Sequence, residues 1–509
     1  MKKIIFSLLS ILLLTACTNE TVSDARQEKA QPHIYPDYLG VTVPVNIAPL
    51  NFCMADETAL LVDAVITDRN GNTLHSQGEE SVDFDIDDWR ELLDKSRGDS
   101  LSVTVSAKYE DGWHTYSPFP VYVSPDSIDY GICYRLIEPG YEVWSKMGIY
   151  ERDLSSFSER PLIENTQFGG CVNCHSFNRG NPAALSLHIR GEHGATLLRR
   201  SDGSMAAYDT NTDQTIGLCV YPYWHPSGKY IAYSTNTTRQ LFHAADSNRV
   251  EVFDEVSDLQ VYDVTKNELI LSPLLKQEEV YETYPVFSAD GRSLYFCAAH
   301  QPTANTQHPT PTTHHPSPTT HHPSPTTLDS IRYNLCRIDF NPATGDFGTR
   351  IDTIVNAEAQ NKSVSFPRPS YDGRFLCYTL SDYGQFSIWH HEADLYLLDL
   401  TTGESRAMTK ANSSDTESFH NWSTNSRWLV LSSRRDDGLF TRPYFCHVDA
   451  RGNVGKAFML PQRNPRQFYR GRFLSFNVPD FIIAPTDFDS HEAARLINDE
   501  YRKKIGVRK

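Results

Sequence analysis

Tyr284-Pro-Val-Phe-Ser-Ala-Asp-Gly291, running into the apolar stretch Ser293-Leu-Tyr-Phe296, is the segment whose reading decides the fold. Pro fixes one backbone angle, Asp accepts main-chain N–H groups, and Gly supplies a positive φ, so the octet reads as a turn that feeds a strand. The pattern returns. Tyr221-Pro-Tyr-Trp-His-Pro-Ser-Gly228 precedes Lys229-Tyr-Ile-Ala-Tyr233. Phe366-Pro-Arg-Pro-Ser-Tyr-Asp-Gly373 precedes Phe375-Leu-Cys-Tyr378. Phe419-His-Asn-Trp-Ser-Thr-Asn-Ser426 precedes Trp428-Leu-Val-Leu431, and Phe468 to Phe476 reads as a degraded copy. Between these lies a second unit, an apolar strand ending in Asp, found at Ile149–Asp153, Met205–Asp209, Leu259–Asp263, Leu335–Asp339, Leu395–Asp399 and Phe445–Asp449.

Self-similarity at this period marks a repeat architecture. The two units together resemble the TolB-like, WD40-like propeller repeat, often called PD40, over roughly residues 141–486. That resemblance implies an all-β chain whose main body is a six-bladed β-propeller. The repeats begin with a second-half unit and end with a first-half unit, an offset that lets the two ends complete one blade. One first-half unit is missing, and its place falls between Asp153 and Met205. A β-sandwich or a solenoid is the alternative reading of the same strands.

Cys171-Val-Asn-Cys174-His175 occupies that gap. Cys-x-x-Cys-His is the attachment motif of haem c: two thiols spaced for two vinyl groups, then a His placed to reach the iron. Cys and His number 10 and 19 in 509 residues, so a chance match is rare. Cys171, Cys174 and His175 are therefore the expected cofactor-binding residues, with covalent haem c as cofactor. A disulfide between the two Cys is the first alternative. A zinc site is the second, weakened by the lack of another Cys-x-x-Cys pair. Gly169-Gly170 would let the backbone approach a flat macrocycle. The identity of a sixth iron ligand separates electron transfer from ligand binding or peroxide chemistry. His188, His193, His225, His420 and Met205 are the candidates. His225 stands where the next repeat has Ser288, and His420 where other repeats have Pro222, Pro285 and Pro367, so each departs from the pattern.

The flanks place the protein in a compartment. Lys2 and Lys3 precede a short apolar run that ends in Leu14-Thr15-Ala16-Cys17. This resembles a lipoprotein signal peptide over residues 1–16, implying cleavage before Cys17 and its lipidation; an ordinary secretory signal is the alternative. Residues 17–34 read as a lipidated flexible tether. With Thr18 rather than Asp after the lipidated Cys, the outer membrane is favoured within the envelope, facing either the periplasm or the outside. Residues 35–140 read as a β-sandwich domain, with strands at 41–45, 59–67, 100–109 and 119–123, a turn at Asn70-Gly71 and a short helix over 87–95. The Pro- and His-rich insertion 301–327 reads as a disordered loop between two strands of one blade. Residues 487–509 read as a helical tail, with Ser490 as its cap. Seven further Cys, most in apolar strands, read as free and buried.

A formal charge of −17 argues against nucleic acid and anionic membrane surfaces as partners. No Ser-His-Asp arrangement, phosphate loop or paired-carboxylate motif stands apart from the repeats' own turn residues, so an electron carrier or binding protein is expected rather than an enzyme. The expected partner is an envelope redox or scaffold protein, with the membrane engaged through the lipid anchor. Over its full length the chain resembles envelope lipoproteins that join this propeller to the haem motif and carry the label cytochrome c or cytochrome c biogenesis protein. No haem lyase or transporter motif accompanies it. A TolB-like binding scaffold without functional haem is the second functional reading, and a haem enzyme with an open iron site the third.

Overall fold

A computed structural model describes residues 20–139, 145–243, 248–302 and 329–508. The expected signal segment 1–16, the expected lipidation site Cys17 and most of the insertion 301–327 lie outside the described residues. Of the described residues, 47% are strand and 8% helix. Six four-stranded antiparallel sheets, two of them extended by a fifth strand from the C-terminal tail, form a ring in which each inner strand touches the next.

The ring closes as the offset of the repeats requires. Ser475–Ile482, from the end of the chain, is the inner strand of blade 1 and pairs antiparallel with Gly131–Ile137; Gly148–Asp153 and Glu159–Glu164 complete the sheet. The inner strands of blades 2 to 6 are Cys171–Asn178, Val220–Trp224, Val280–Phe287, Ser363–Pro369 and Glu417–Trp422. The missing first-half unit is thus the strand that carries the Cys-x-x-Cys-His motif.

Three details differ from the reading of the repeats. The propeller starts before residue 141, because Gly131–Ile137 is its own second strand rather than part of the N-terminal domain. In blade 2 the third strand is Ala195–Arg199, and Met205–Asp209 is the fourth strand. Asp209 misleads because its carboxylate accepts the Asn211 N–H at 3.0 Å, the same turn chemistry that Asp153, Asp263, Asp399 and Asp449 use after true third strands. The last first-half unit is not Phe468–Phe476, since Pro465–Arg470 is a helix, but Phe476-Asn-Val478-Pro479-Asp480.

Local chemistry explains why the repeat folds this way. In the turns after the inner strands, Ser288, Ser370 and Ser423 donate their hydroxyls to Asp290, Asp372 and Asn425 at 2.6 Å and accept the N–H of the strand that follows. Trp224 and Trp422 donate their indole N–H to the Ser176 and Arg368 carbonyls of the preceding blade at 3.0 Å, tying inner strands together. Neighbouring blades interleave apolar faces, for example Val172, Leu187 and Ile189 against Met147, Ile149 and Ile163.

The hairpin Tyr230–Phe242 and Val250–Asp263 of blade 3 is far longer than its counterparts. Its outer half leans on the loops of blade 5. There Glu251 accepts from Tyr383 Oη at 2.6 Å and pairs with His390 Nε2 at 3.0 Å, with the two side chains 3% and 1% exposed.

The N-terminal region is built on one seven-stranded sheet, with Leu61–Thr67 and Ser100–Tyr109 at its centre. The expected sandwich is very unequal. The only other sheet in this part, among the described residues, is the pair Ile34–Tyr35 and Cys53–Met54. The rest of the facing layer is helix Ile86–Lys95, capped by Asp85, and irregular chain carrying Tyr38, Leu50 and Phe52. The expected tether is only partly free: Arg26–Gln27 adds a parallel strand beside His114–Thr115. The tail is helical only over Ser490–Asn498, with Asp489 rather than Ser490 as its cap. Beyond it, Lys503–Lys504 and Gly506–Val507 join the outer edges of blades 2 and 3 as parallel strands.

Candidate functional site: the central channel

Every inner strand carries a bulge at the same place, where pairing with the second strand of its blade slips. Extra residues in one strand turn a side chain out of the regular alternation. Tyr221, Tyr284, Phe366 and Val478 each precede Pro there, and each takes a left-handed φ between 50° and 53°. Such a backbone costs about 1–3 kcal/mol per residue and persists only where packing enforces it. The result is a collar around the channel axis. Ring centroids lie 4.6 Å apart for Tyr221–Tyr284, 4.7 Å for Tyr284–Phe366 and 4.6 Å for Phe366–Phe419.

Cys174 stands in this slot in blade 2, with φ +46° and its thiol against the Tyr221 main chain. His175 takes the place of the following Pro, as His420 does in blade 6. In a regular strand, residues three apart point to opposite faces. The bulge removes that conflict, so Cys171 and Cys174 both line one chamber. All nine described cysteines are free thiols, and all but Cys171 are buried.

The collar divides the channel. On the side where the inner strands begin lies a chamber of about 340 Å³, floored by the collar and walled by Cys171, Cys174, Arg135, Arg190, Trp389 and the long blade 3 hairpin. On the other side lies a narrow pocket of about 40 Å³, closed around His420, Arg368 and Asp480. Asp480 accepts from Phe177 N at 2.9 Å and from Asn421 Nδ2 at 2.6 Å; burial pushes its carboxyl up to about 7.

His175 is 3% exposed and borders both cavities. Its Nε2 lies 3.3 Å from the Cys133 carbonyl, whereas Nδ1 is buried without a hydrogen-bond partner. Burial lowers its pKa to about 4, so the ring is a neutral imidazole near pH 7, donating from Nε2 and bare at Nδ1. His420 is likewise held neutral by burial, its pKa lowered to about 3, with neither ring nitrogen in a well-formed hydrogen bond.

The other candidates are placed elsewhere. His188 is buried across the strand from Asn173 and lines neither cavity. His225 is accounted for by its turn: Nδ1 meets Ser227 Oγ at 2.8 Å and Nε2 meets the Gly291 carbonyl at 3.0 Å, so it does the work of the serine it replaces. Met205 sits on the fourth strand of blade 2, and His193 in a peripheral turn of that blade. Of the four histidines expected as iron ligands, His175, His188, His225 and His420, only His175 and His420 border a common cavity, the narrow pocket. Among the described residues, no three His, Cys, Asp or Glu side chains are grouped to hold a metal ion. Gly169 and Gly170 also have a backbone explanation. Gly169 has φ +70°, and a Cβ on Gly170 would sit 2.7 Å from the Arg190 carbonyl.

Sequence reading missed Arg135, Arg190 and Asp480, because nothing in a repeat says which polar strand residue faces the axis. The collar was within reach: the recurring aromatic before Pro is its signal.

No family model matches the chain, and no curated protein matches it. Among solved structures it is similar to prolyl oligopeptidase B of Galerina marginata, at 11% identity and a TM-score of 0.35, over 73% of this chain and 46% of that one. It is also similar to Porphyromonas gingivalis dipeptidyl peptidase 4, at 10% identity and a TM-score of 0.30, over 87% and 61%. The chain spans less than two thirds of either protein. Likeness at this level carries no argument about function; the six-bladed assignment rests on the strand pairing.

Proposed function

We propose that the protein is an envelope lipoprotein, anchored through Cys17, that carries one haem c in the wide chamber and serves as an electron carrier. The observation that supports this best is the placing of Cys171 and Cys174 on the wall of one chamber by a bulge at Cys174. The residues present fit a covalently held macrocycle in three respects. Two thiols share the chamber, a wall of flat aromatic rings lines it, and His175 offers a neutral imidazole with an unpartnered nitrogen. The volume of about 340 Å³ lies within the usual range for small-molecule sites, roughly 300–1,000 Å³.

Haem c, when bound, supplies one-electron transfer at iron. The chain's part is to hold and shield it. Cys171 and Cys174 would carry the thioethers, and His175 would hold the iron through its imidazole, kept unprotonated by its burial. The collar would exclude water from the narrow side. His420, in the matching slot of blade 6, is the other chain nitrogen poised at the collar.

The test is a haem stain. The soluble form from residue 18 would be expressed in the periplasm of a host with cytochrome c maturation machinery, denatured, and run beside Cys171→Ala and Cys174→Ala variants. Covalent stain in the wild type that is lost or much weakened in the variants is expected. Folded wild-type protein without stain, beside a positive control, would overturn the reading and leave a lipid-anchored binding propeller.

A further inference from the structure

The chamber wall is cationic in a chain of net charge −17. Four arginines line it, against one carboxylate, Glu138. Glu138 is engaged locally, accepting from Ser145 and from the Lys146 main chain. Two of the arginines are also committed. Arg434 lies 3.4 Å from the Trp389 ring centroid and donates Nε to the Ile388 carbonyl at 2.6 Å. Arg368 lies over Tyr223 and donates to the Pro367 carbonyl at 3.0 Å.

Arg135 and Arg190 have no such settlement. Arg135 reaches from the second strand of blade 1 and donates to the Asn173 side chain, while its Nε is buried without a partner. Arg190 sits directly across the strand from Cys171. Neither forms an ion pair with a carboxylate among the described residues, and the two guanidinium groups repel each other. Arg135 is half-buried with an unpartnered Nε, Arg190 is an exposed side chain on the chamber wall, and guanidinium groups are matched in shape to carboxylates.

We infer that Arg135 and Arg190 hold the carboxylates of the chamber's ligand, so that the site selects a flat aromatic dianion. This rests on the haem reading and adds to it which side chains bind the two propionates, independently of the thioethers. Attachment and charge recognition are therefore separable.

The experiment uses the mature chain in a Cys171→Ser/Cys174→Ser background, where no covalent bond forms. Protoporphyrin and its dimethyl ester, which lacks the two charges, would be titrated in turn and followed by porphyrin fluorescence. The free acid is expected to bind at least tenfold more tightly than the ester. Arg135→Gln/Arg190→Gln should abolish that preference, bringing the affinities for acid and ester together, with a melting curve confirming the fold. Equal binding of acid and ester to the parent, or a preference that survives in the double variant, overturns the arginine assignment and leaves the haem reading standing. Failure of both porphyrins to bind a folded parent also overturns the arginine assignment, while the haem reading stands or falls on the covalent stain.

Discussion

The ion pair that seats the blade 3 hairpin makes a pH-dependent contribution whose size can be worked out. Burial alone would make His390 harder to protonate, but the hydrogen bonds and charges of Glu251 and Glu392 outweigh it and raise its pKa from 6.5 to about 9. The folded state thus binds a proton that the unfolded chain releases near 6.5. The stabilisation is complete below that value and is lost as pH rises through about 9. A shift of about 2.5 units at ~1.4 kcal/mol per unit gives about 3 kcal/mol. This agrees with the roughly 3–5 kcal/mol expected when one partner of a buried pair is removed. The perturbation is His390→Gln, which keeps the size and removes the charge. Unfolding free energies from urea titrations of both proteins, from about pH 6 to about pH 10, are the assay. The wild type should be the more stable at the acid end, and its advantage should shrink by about 3 kcal/mol across the range. Parallel pH curves would refute the argument, because a neutral His390 could not hold Glu251 in this way.

Asp480 should give the same slope by a different route. Burial raises its carboxyl to about 7, so the wild type loses stability as pH climbs from the unfolded value near 3.8 through 7, and Asp480→Asn should lack that decline; superimposable slopes in urea titrations would count against it. Gly170→Ala forces a Cβ to 2.7 Å from the Arg190 carbonyl and should cost about 1–3 kcal/mol, read as a lower melting temperature; an unchanged melting curve would mean the strands give way freely. Cys17→Ser should abolish incorporation of labelled palmitate and release the protein from the membrane fraction. A wild type that takes up no label would rule out the anchor.

What was legible in the sequence was whatever local chemistry repeats. The aromatic–Pro pairs at Tyr284 and Phe366 and the Ser-x-Asp-Gly turns announce inner strands, because those residues do the same job in each blade. Gly131–Ile137 has no Pro and no Asp-Gly turn, and becomes a blade strand only through partners more than 300 residues away. Val478-Pro479 keeps the bulge but lacks the turn signature, so its blade was found by topology alone. In blade 2 the third strand Ala195–Arg199 ends without Asp, and Asp209, one strand outward, copies the signal. At the site, spacing made Cys171, Cys174 and His175 conspicuous. Yet it could not show that they lie in a strand, nor that Cys174 belongs to an aromatic collar. His225 looked exceptional and proved to be a turn residue, since a ring nitrogen accepts a main-chain N–H as well as a serine hydroxyl does.

The closure of the ring by Ser475–Ile482 sets an order of events. Synthesis runs from the N-terminus, so blade 1 stands as three strands, with a gap beside the Cys171–Asn178 strand, until nearly the whole chain has emerged. With the ring shut, Cys174 is buried, 5% exposed. An enzyme that modifies this thiol therefore needs the translocated chain before Ser475–Ile482 has closed the ring. The late arrival of one strand acts as a timer, separating the period when the site can be loaded from the period when its contents are locked in.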